Sequence, residues 1–345
     1  MRPKILIIKL SALGDVVHTL PALHALRKEF PGARLDWLVG EAASPLLEDH
    51  PLLNRVHVFK KAWRKNFLRH LFSDIIPFYR AMQREKFDWA IDFQGLTKSG
   101  LASYFSGAQK VIGFGDRDGR ELNKLFTTEK ISPAPGLHIV ERNLSLLSPL
   151  GIVNPEVSFP LPDFKQDRDK PANGEYVVVN PGAGWVNKKI PLDILGRLCA
   201  SIFKEMGWNI MIAWGPGEES LAGELAEIIE RHGARARLAS GTTIPQLAGL
   251  ISRSRLFLGG DTGPTHLAAA LKIPVVSWFG PSDSRRNGPY GSACAVIQKF
   301  NLACVPCWKT DCLYEDKRRL QCLKTITAEE LFQAAQNLLV EKKSP

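Results

Sequence analysis

Apolar positions in this chain come as short unbroken runs, separated by stretches where they recur every three or four residues. The first run, Ile5-Leu6-Ile7-Ile8, is β-branched and has the length of a strand buried on both faces of a parallel sheet. A short Ser/Gly turn follows and opens into a helical pattern at Val16, Leu20, Leu23, Leu26 and Phe30. The alternation predicts strands at Lys4–Ile8, Leu35–Val39, Val56–Phe59, Trp89–Phe93 and Val111–Phe114. Residues 160–174, with Pro160, Pro162 and Pro171 among Asp and Lys, have few aliphatics and read as an exposed linker. The pattern then restarts. Strands are expected at Tyr176–Val179, Asn209–Trp214, Ala236–Ala239, Leu256–Leu258 and Val275–Trp278, and helices at Leu192–Met206, Glu218–His232 and Thr265–Leu271. The tail Ala328–Val340 carries Leu331, Ala334, Ala335, Leu338 and Leu339, a helix that needs a docking surface. The expected class is α/β: two Rossmann-like domains whose parallel sheets face each other across an interdomain cleft at the strand carboxyl ends.

At 345 residues the chain exceeds what one core usually supports, in keeping with two domains. The 45% hydrophobic and 23% charged content is that of a soluble globular protein. No window approaches the ~18 apolar residues of a membrane span. Four aliphatics before Lys9 are too few for a signal-peptide core, so a cytoplasmic protein is expected. The net charge of +10 points to a polyanionic partner: nucleic acid, nucleotide phosphate or an anionic membrane surface. Without an arginine-rich arm or a zinc-finger spacing, nucleic acid has no support. Cys304, Cys307, Cys312 and Cys322 crowd together, which raises a metal site against reduced thiols packing a loop. Cys199 and Cys294 read as ordinary buried residues.

The chemistry is expected at the strand-to-helix junctions. The first βα turn lacks G-x-G-x-x-G and the chain lacks a Walker lysine loop, so neither a dinucleotide dehydrogenase nor a P-loop enzyme is indicated. Asp15 stands between the first strand and the first helix, where a carboxylate either caps the helix or takes a proton from a substrate hydroxyl. In the second half, Asn180-Pro181-Gly182-Ala183-Gly184 lets backbone N–H groups approach an anion, with Lys188 as a point charge. Gly259-Gly260-Asp261-Thr262-Gly263-Pro264-Thr265-His266 opens a helix whose start favours a phosphate. Trp214-Gly215-Pro216-Gly217-Glu218 presents a carboxylate to ribose hydroxyls or merely begins a helix. Each junction also has a purely structural reading, but their convergence on one sheet edge is informative. Lys60-Lys61-Ala62-Trp63-Arg64-Lys65 reads as a basic loop leading into a helix near Phe67, with Trp63 beside it, able to grip anionic groups or simply solvated. Arg117 and Arg120 form a second basic patch.

These stretches, with Asp92-Phe93-Gln94-Gly95-Leu96-Thr97-Lys98-Ser99 and Gly119-Arg120-Glu121, resemble the lipopolysaccharide heptosyltransferases of glycosyltransferase family 9. The likeness is nearest to the type I enzymes, although the Cys-rich stretch looks more like type II. The resemblance implies a GT-B fold: an acceptor domain (1–165), a nucleotide-sugar domain (174–325) and a last helix (326–345) packing back toward the first domain. It implies inverting transfer of L-glycero-D-manno-heptose from ADP-heptose to a Kdo residue of Kdo-lipid A, without metal or other cofactor. It also implies a monomer on the cytoplasmic face of the inner membrane, in peripheral contact with anionic lipid and without nucleic acid.

By match to the family motifs, Asp15 is the general base. The donor side comprises Gly182, Ala183, Lys188, Glu218 (or Glu219), Asp261, Thr262, Gly263 and His266. Gly182 and Ala183 stand where relatives carry paired threonines, so backbone N–H groups would replace hydroxyls. Ser11, Gly14, Arg64, Lys65, Gln94, Lys98 and Arg120 fall to the acceptor. Heptosyltransferase II, another GT-B transferase using a different nucleotide sugar, and a non-catalytic basic nucleotide- or RNA-binding protein are the alternatives.

Overall fold

The computed structural model describes residues 2–115, 122–164, 174–239, 241–291 and 293–341. The chain divides within the Pro-rich stretch into two compact units, Met1–Pro162 and Asp163–Pro345. In the first, β1 (Lys4–Ile8), β2 (Arg34–Gly40), β3 (Arg55–Phe59), β4 (Trp89–Asp92), β5 (Lys110–Phe114) and β6 (Glu129–Ile131) form one sheet. Their order is β3-β2-β1-β4-β5-β6, and every pairing is parallel. In the second unit, β7 (Tyr176–Asn180), β8 (Asn209–Ile212), β9 (Ala236–Leu238), β10 (Leu256–Gly260), β11 (Val275–Phe279) and β12 (Cys294–Gln298) pair, again all parallel, as β12-β11-β10-β7-β8-β9.

Both sheets have the doubly wound order: the first strand is central, and the winding reverses beside it. Helices cover both faces, so the central strands must be apolar all along their length. Ile5, Leu6, Ile7 and Ile8 of β1 and Val177, Val178 and Val179 of β7 are accordingly fully buried. Ile5 stands level with Leu35 of β2 and Trp89 of β4, and Val177 with Ile210 of β8 and Leu256 of β10. Such an order leaves a crevice outside the carboxyl ends at the reversal, between β1 and β4 in one unit and between β7 and β10 in the other.

Four sequence expectations change. β6 and β12 were not predicted: β6 has three residues, two of them charged, and both are sheet edges without a buried run. The expected first helix is two, Leu13–Val17 and Leu20–Glu29, the second opening with Pro21 in its first turn. The expected basic loop is instead a short helix, Lys61–Lys65, followed by Phe67–His70, a π-helical turn at Leu71–Ile75, and the helix Ile76–Arg84. Trp63 faces inward, 5% exposed, with its ring edge-on to Phe59 and Phe78, so it is a core residue and not a contact for an anion.

The last helix, Ala328–Glu341, was expected to pack back toward the first domain. It buries Leu331, Ala335 and Leu338 in the second unit's own core, beside Leu198 and Ile202 of the helix Leu192–Met206. The period of its apolar face is the one read from the sequence, and the surface that face covers belongs to the second unit.

Candidate active site

At the β1 end the chain leaves the sheet at Lys9 and enters the helix Leu13–Val17. Asp15 lies in the first turn of that helix, and its Oδ2 accepts a hydrogen bond from the Ala12 N–H at 2.9 Å. One oxygen therefore caps the helix, as the structural reading of Asp15 requires. The side chain remains 41% exposed, and its Oδ1 stands 3.9 Å from Lys9 Nζ. Lys9 is itself buried and donates to the Phe93 carbonyl at 2.8 Å. It is thus a fixed cation behind the acid, held by the end of β4.

A second tie joins the same two strand ends. Gln94 Oε1 accepts from the N–H groups of Leu10 and Ser11, each at 3.1 Å. Gln94 is held in turn by Asp92, whose Oδ1 accepts from the N–H groups of Gln94 and Gly95 at 2.9 and 3.2 Å. The other oxygen of Asp92 accepts from Ser99 Oγ at 2.8 Å and Asn123 Nδ2 at 2.6 Å. Asp92 is fully buried, and burial raises its pKa; the hydrogen bonds from Ser99, Asn123, Gln94 and Gly95 work against that rise.

Of the expected acceptor residues, Ser11, Gly14, Gln94 and Lys98 gather around this turn. Gly14 is buried, and Lys98 Nζ donates to Ser11 Oγ at 3.4 Å. Lys65 is exposed at the end of the helix Lys61–Lys65, which also carries Arg64. The Arg64 side chain, Arg117 and Arg120 lie outside the described residues. Lys9 and Asp92 were missed as site residues. A lysine closing an apolar run looks like a strand flank, and an acid ending a strand within Asp92-Phe93-Gln94-Gly95 carries no sign of its burial.

In the second unit the expected donor residues form two contacting groups. Gly182 follows β7, and a Cβ placed there would lie 1.9 Å from Glu218 Oε2. The glycine is what lets the carboxylate reach the loop. Glu218, rather than Glu219, occupies that position, and it also accepts from the Gly215 N–H at 3.0 Å.

In the other group, Lys188 Nζ lies 2.6 Å from Asp261 Oδ2 and 4.5 Å from the centre of the Trp185 ring. Asp261 also accepts from Ser282 Oγ at 2.5 Å, and its Oδ1 lies 3.3 Å from His266 Nε2. Burial alone would raise the Asp261 pKa, but His266 and Lys188 outweigh it and hold this carboxyl well below the usual carboxylate range. Gly260 keeps the Lys188 segment close: a Cβ there would come within 2.9 Å of the Lys188 carbonyl. Thr262 precedes the helix Gly263–Ala270 in extended conformation, and no side chain caps that helix. Its first N–H groups are the kind that receive an anion. Ala183 is half-buried beside Gly182.

Cys304, Cys307, Cys312 and Cys322 line one cavity with Asn187 and Gly280, and all four are free thiols. Burial and the neighbouring sulfurs push the Cys322 thiol up to about 11. Among the described residues no three His, Cys, Asp or Glu side chains gather to hold a metal ion. Cys199 is buried, whereas Cys294 is half-buried on an edge strand.

Residues 75–318 match the family model of glycosyltransferase family 9 (heptosyltransferase). The chain belongs to glycosyltransferase family 9. This family 9 transferase is 34% identical to lipopolysaccharide heptosyltransferase 1 of Pseudomonas aeruginosa, over 93% of its own length and 91% of the relative's. It is 31% identical to the Escherichia coli heptosyltransferase 1, over 84% and 91%. The structure of the E. coli heptosyltransferase WaaC with ADP superposes with a TM-score of 0.77 at 25% identity, covering 97% of this chain and 99% of that one. The two wound sheets are thus those of GT-B heptosyltransferases, and the alternative of a non-catalytic basic nucleotide- or RNA-binding protein falls away.

Proposed function

We propose that this transferase moves L-glycero-D-manno-heptose from ADP-heptose to a Kdo residue of Kdo-lipid A, inverting the anomeric centre and using no metal or other cofactor. The observation that carries the reading is the exposed carboxylate of Asp15, capped at one oxygen and backed by buried Lys9, at the winding reversal of the first unit. The relatives' names supply the chemical class, and a WaaC structure with ADP-2-deoxy-2-fluoro heptose supports the donor. Asp15 accepts the proton of the acceptor hydroxyl as its oxygen bonds to the anomeric carbon; the bond from that carbon to the diphosphate oxygen breaks, and ADP departs. Lys188 and the open N–H groups at Thr262–Gly263 stabilise charge developing on the diphosphate. Glu218 binds the ribose, while Ser11, Gln94, Lys98, Lys65, Arg64 and Arg120 receive the acceptor.

No helix among the described residues is long and apolar enough to cross a membrane. The enzyme acts in our reading as a monomer in peripheral contact with the cytoplasmic face of the inner membrane, where a lipid-borne acceptor is presented. The test is mass-spectrometric detection of heptose transfer from ADP-heptose, set against UDP- and GDP-sugars, onto defined Kdo-bearing acceptors. Asp15→Asn is expected to lower turnover by about 10²–10⁴-fold with ADP binding intact. Near-normal turnover of that variant would remove the base from the mechanism.

A further inference from the structure

The helix Thr97–Phe105 is built inside out. Its inward positions hold Ser99, Gly100, Ala102 and Ser103, whereas Leu101, Tyr104 and Phe105 face solvent at 38, 64 and 43% exposure. These three form one stripe, being three and four residues apart. Next to it is the short turn Asn123–Leu125, close enough that a Cβ on Gly100 would meet the Phe126 ring at 2.8 Å. Leu125 on that turn is 69% exposed. A second stripe, Leu68 and Phe72, lies four residues apart and is 82 and 77% exposed. The turn that carries Phe72 runs directly into the helix Ile76–Arg84, and Tyr79 of that helix packs its ring 5.6 Å from Phe105 of the first stripe. Single exposed leucines are ordinary, but six large apolar side chains on adjoining helices are not.

The rim of this surface is basic. Lys65, Arg69, Arg80, Lys98 and Lys124 are exposed, and across 60–84, 97–105 and 122–125 the one acid is Asp74. That carboxylate accepts from Ser73 Oγ and lies 2.9 Å from His70 Nδ1. We propose that this face of the first unit docks on an anionic phospholipid bilayer. Leu68, Phe72, Leu101, Tyr104, Phe105 and Leu125 enter the interfacial layer, and Arg69, Arg80 and Lys124 sit over headgroup phosphates. A second copy of the chain fits poorly, since a self-complementary contact would set one basic rim against another. The inference rests on the reading above and deepens it by naming the surface that brings the enzyme to its lipid-borne acceptor.

The full-length protein is floated with vesicles of phosphatidylcholine alone and with added phosphatidylglycerol, beside L101S/Y104S and R69E/K124E. The wild type is expected to float with the anionic vesicles only. Each double variant is expected to lose on the order of tenfold or more in partitioning, with an unchanged circular dichroism spectrum and unchanged transfer to a soluble Kdo acceptor. Wild type that stays off anionic vesicles, or L101S/Y104S that floats as well as wild type, overturns the proposal. So does an apolar variant that only converts a sedimenting dimer to monomer, which would make the face a self-association surface. If flotation behaves as expected but wild type transfers no heptose, the transferase reading fails and the docking surface stands.

Discussion

Alanine at Gly182 would put a methyl carbon 1.9 Å from Oε2 and 2.2 Å from Cδ of Glu218, against the ~3.5 Å of a relaxed contact. The obstacle is the end of a flexible side chain, so Glu218 swings away and the fold gives little. Its bond from the Gly215 N–H, 3.0 Å in the native arrangement, is lost. The gain from a stiffer unfolded chain, about 0.4–1 kcal/mol, offsets part of that loss, so Tm should barely move. Donor recognition should suffer. A hydrogen bond from a sugar hydroxyl to a charged partner is worth about 1.5–3 kcal/mol, and the half-buried position of Glu218 argues for the lower end. About 1.5 kcal/mol is roughly tenfold in KM for ADP-heptose, with kcat little changed. Initial-rate kinetics on Gly182→Ala, Glu218→Ala and the double variant form a cycle in which the glycine change is silent once Glu218 is gone. Equal penalties in both backgrounds, or a wild-type donor KM for Gly182→Ala, would refute a Gly182–Glu218 ribose site.

Other outcomes follow from the same geometry. Lys188→Ala should weaken ADP binding by calorimetry and raise donor KM, and unchanged values of both would exclude it as the diphosphate cation. The Asp261 carboxyl is depressed in the folded state, so its contribution to stability is complete above its unfolded value near 3.8 and is lost as pH falls through its lower folded one. Asp261→Asn should therefore be destabilised at neutral pH yet show a flatter loss of Tm on acidification; parallel Tm–pH curves would contradict this. Leu331→Ala removes a fully buried side chain from the second unit's core and should cost about 2–5 kcal/mol in denaturant unfolding. A loss below about 1 kcal/mol would show that the last helix is loosely docked.

Much of the fold was legible because central parallel strands must be continuously apolar. Ile5–Ile8 and Val177–Val179 announce themselves, and each lies where its sheet reverses winding. Edge strands escape the same logic: Glu129–Ile131 and Cys294–Gln298 have a neighbour on one side only and no buried run to mark them. Asp15, Lys188, Glu218 and Asp261 were readable as polar residues at strand-to-helix junctions. Lys9 and Asp92 were not: the partner of Lys9 is remote in the chain, and Asp92, though bonded locally by Gln94, Gly95 and Ser99, shows its complete burial and its bond from Asn123 only once the chain is folded. Lys9 bonds a carbonyl 84 residues away, and Asp92 an amide 31 residues away. Trp63 was misread for a related reason: a tryptophan among lysines looks like a ligand contact until Phe59 and Phe78 close around it.

The tie from Gln94 to the amides of Leu10 and Ser11 spans more than eighty residues of chain. During synthesis the turn bearing the acid thus leaves the ribosome long before the amide that shapes it has been made. Reactivity at this end of the protein is a late event in its assembly, reached only when the fourth strand has settled beside the first.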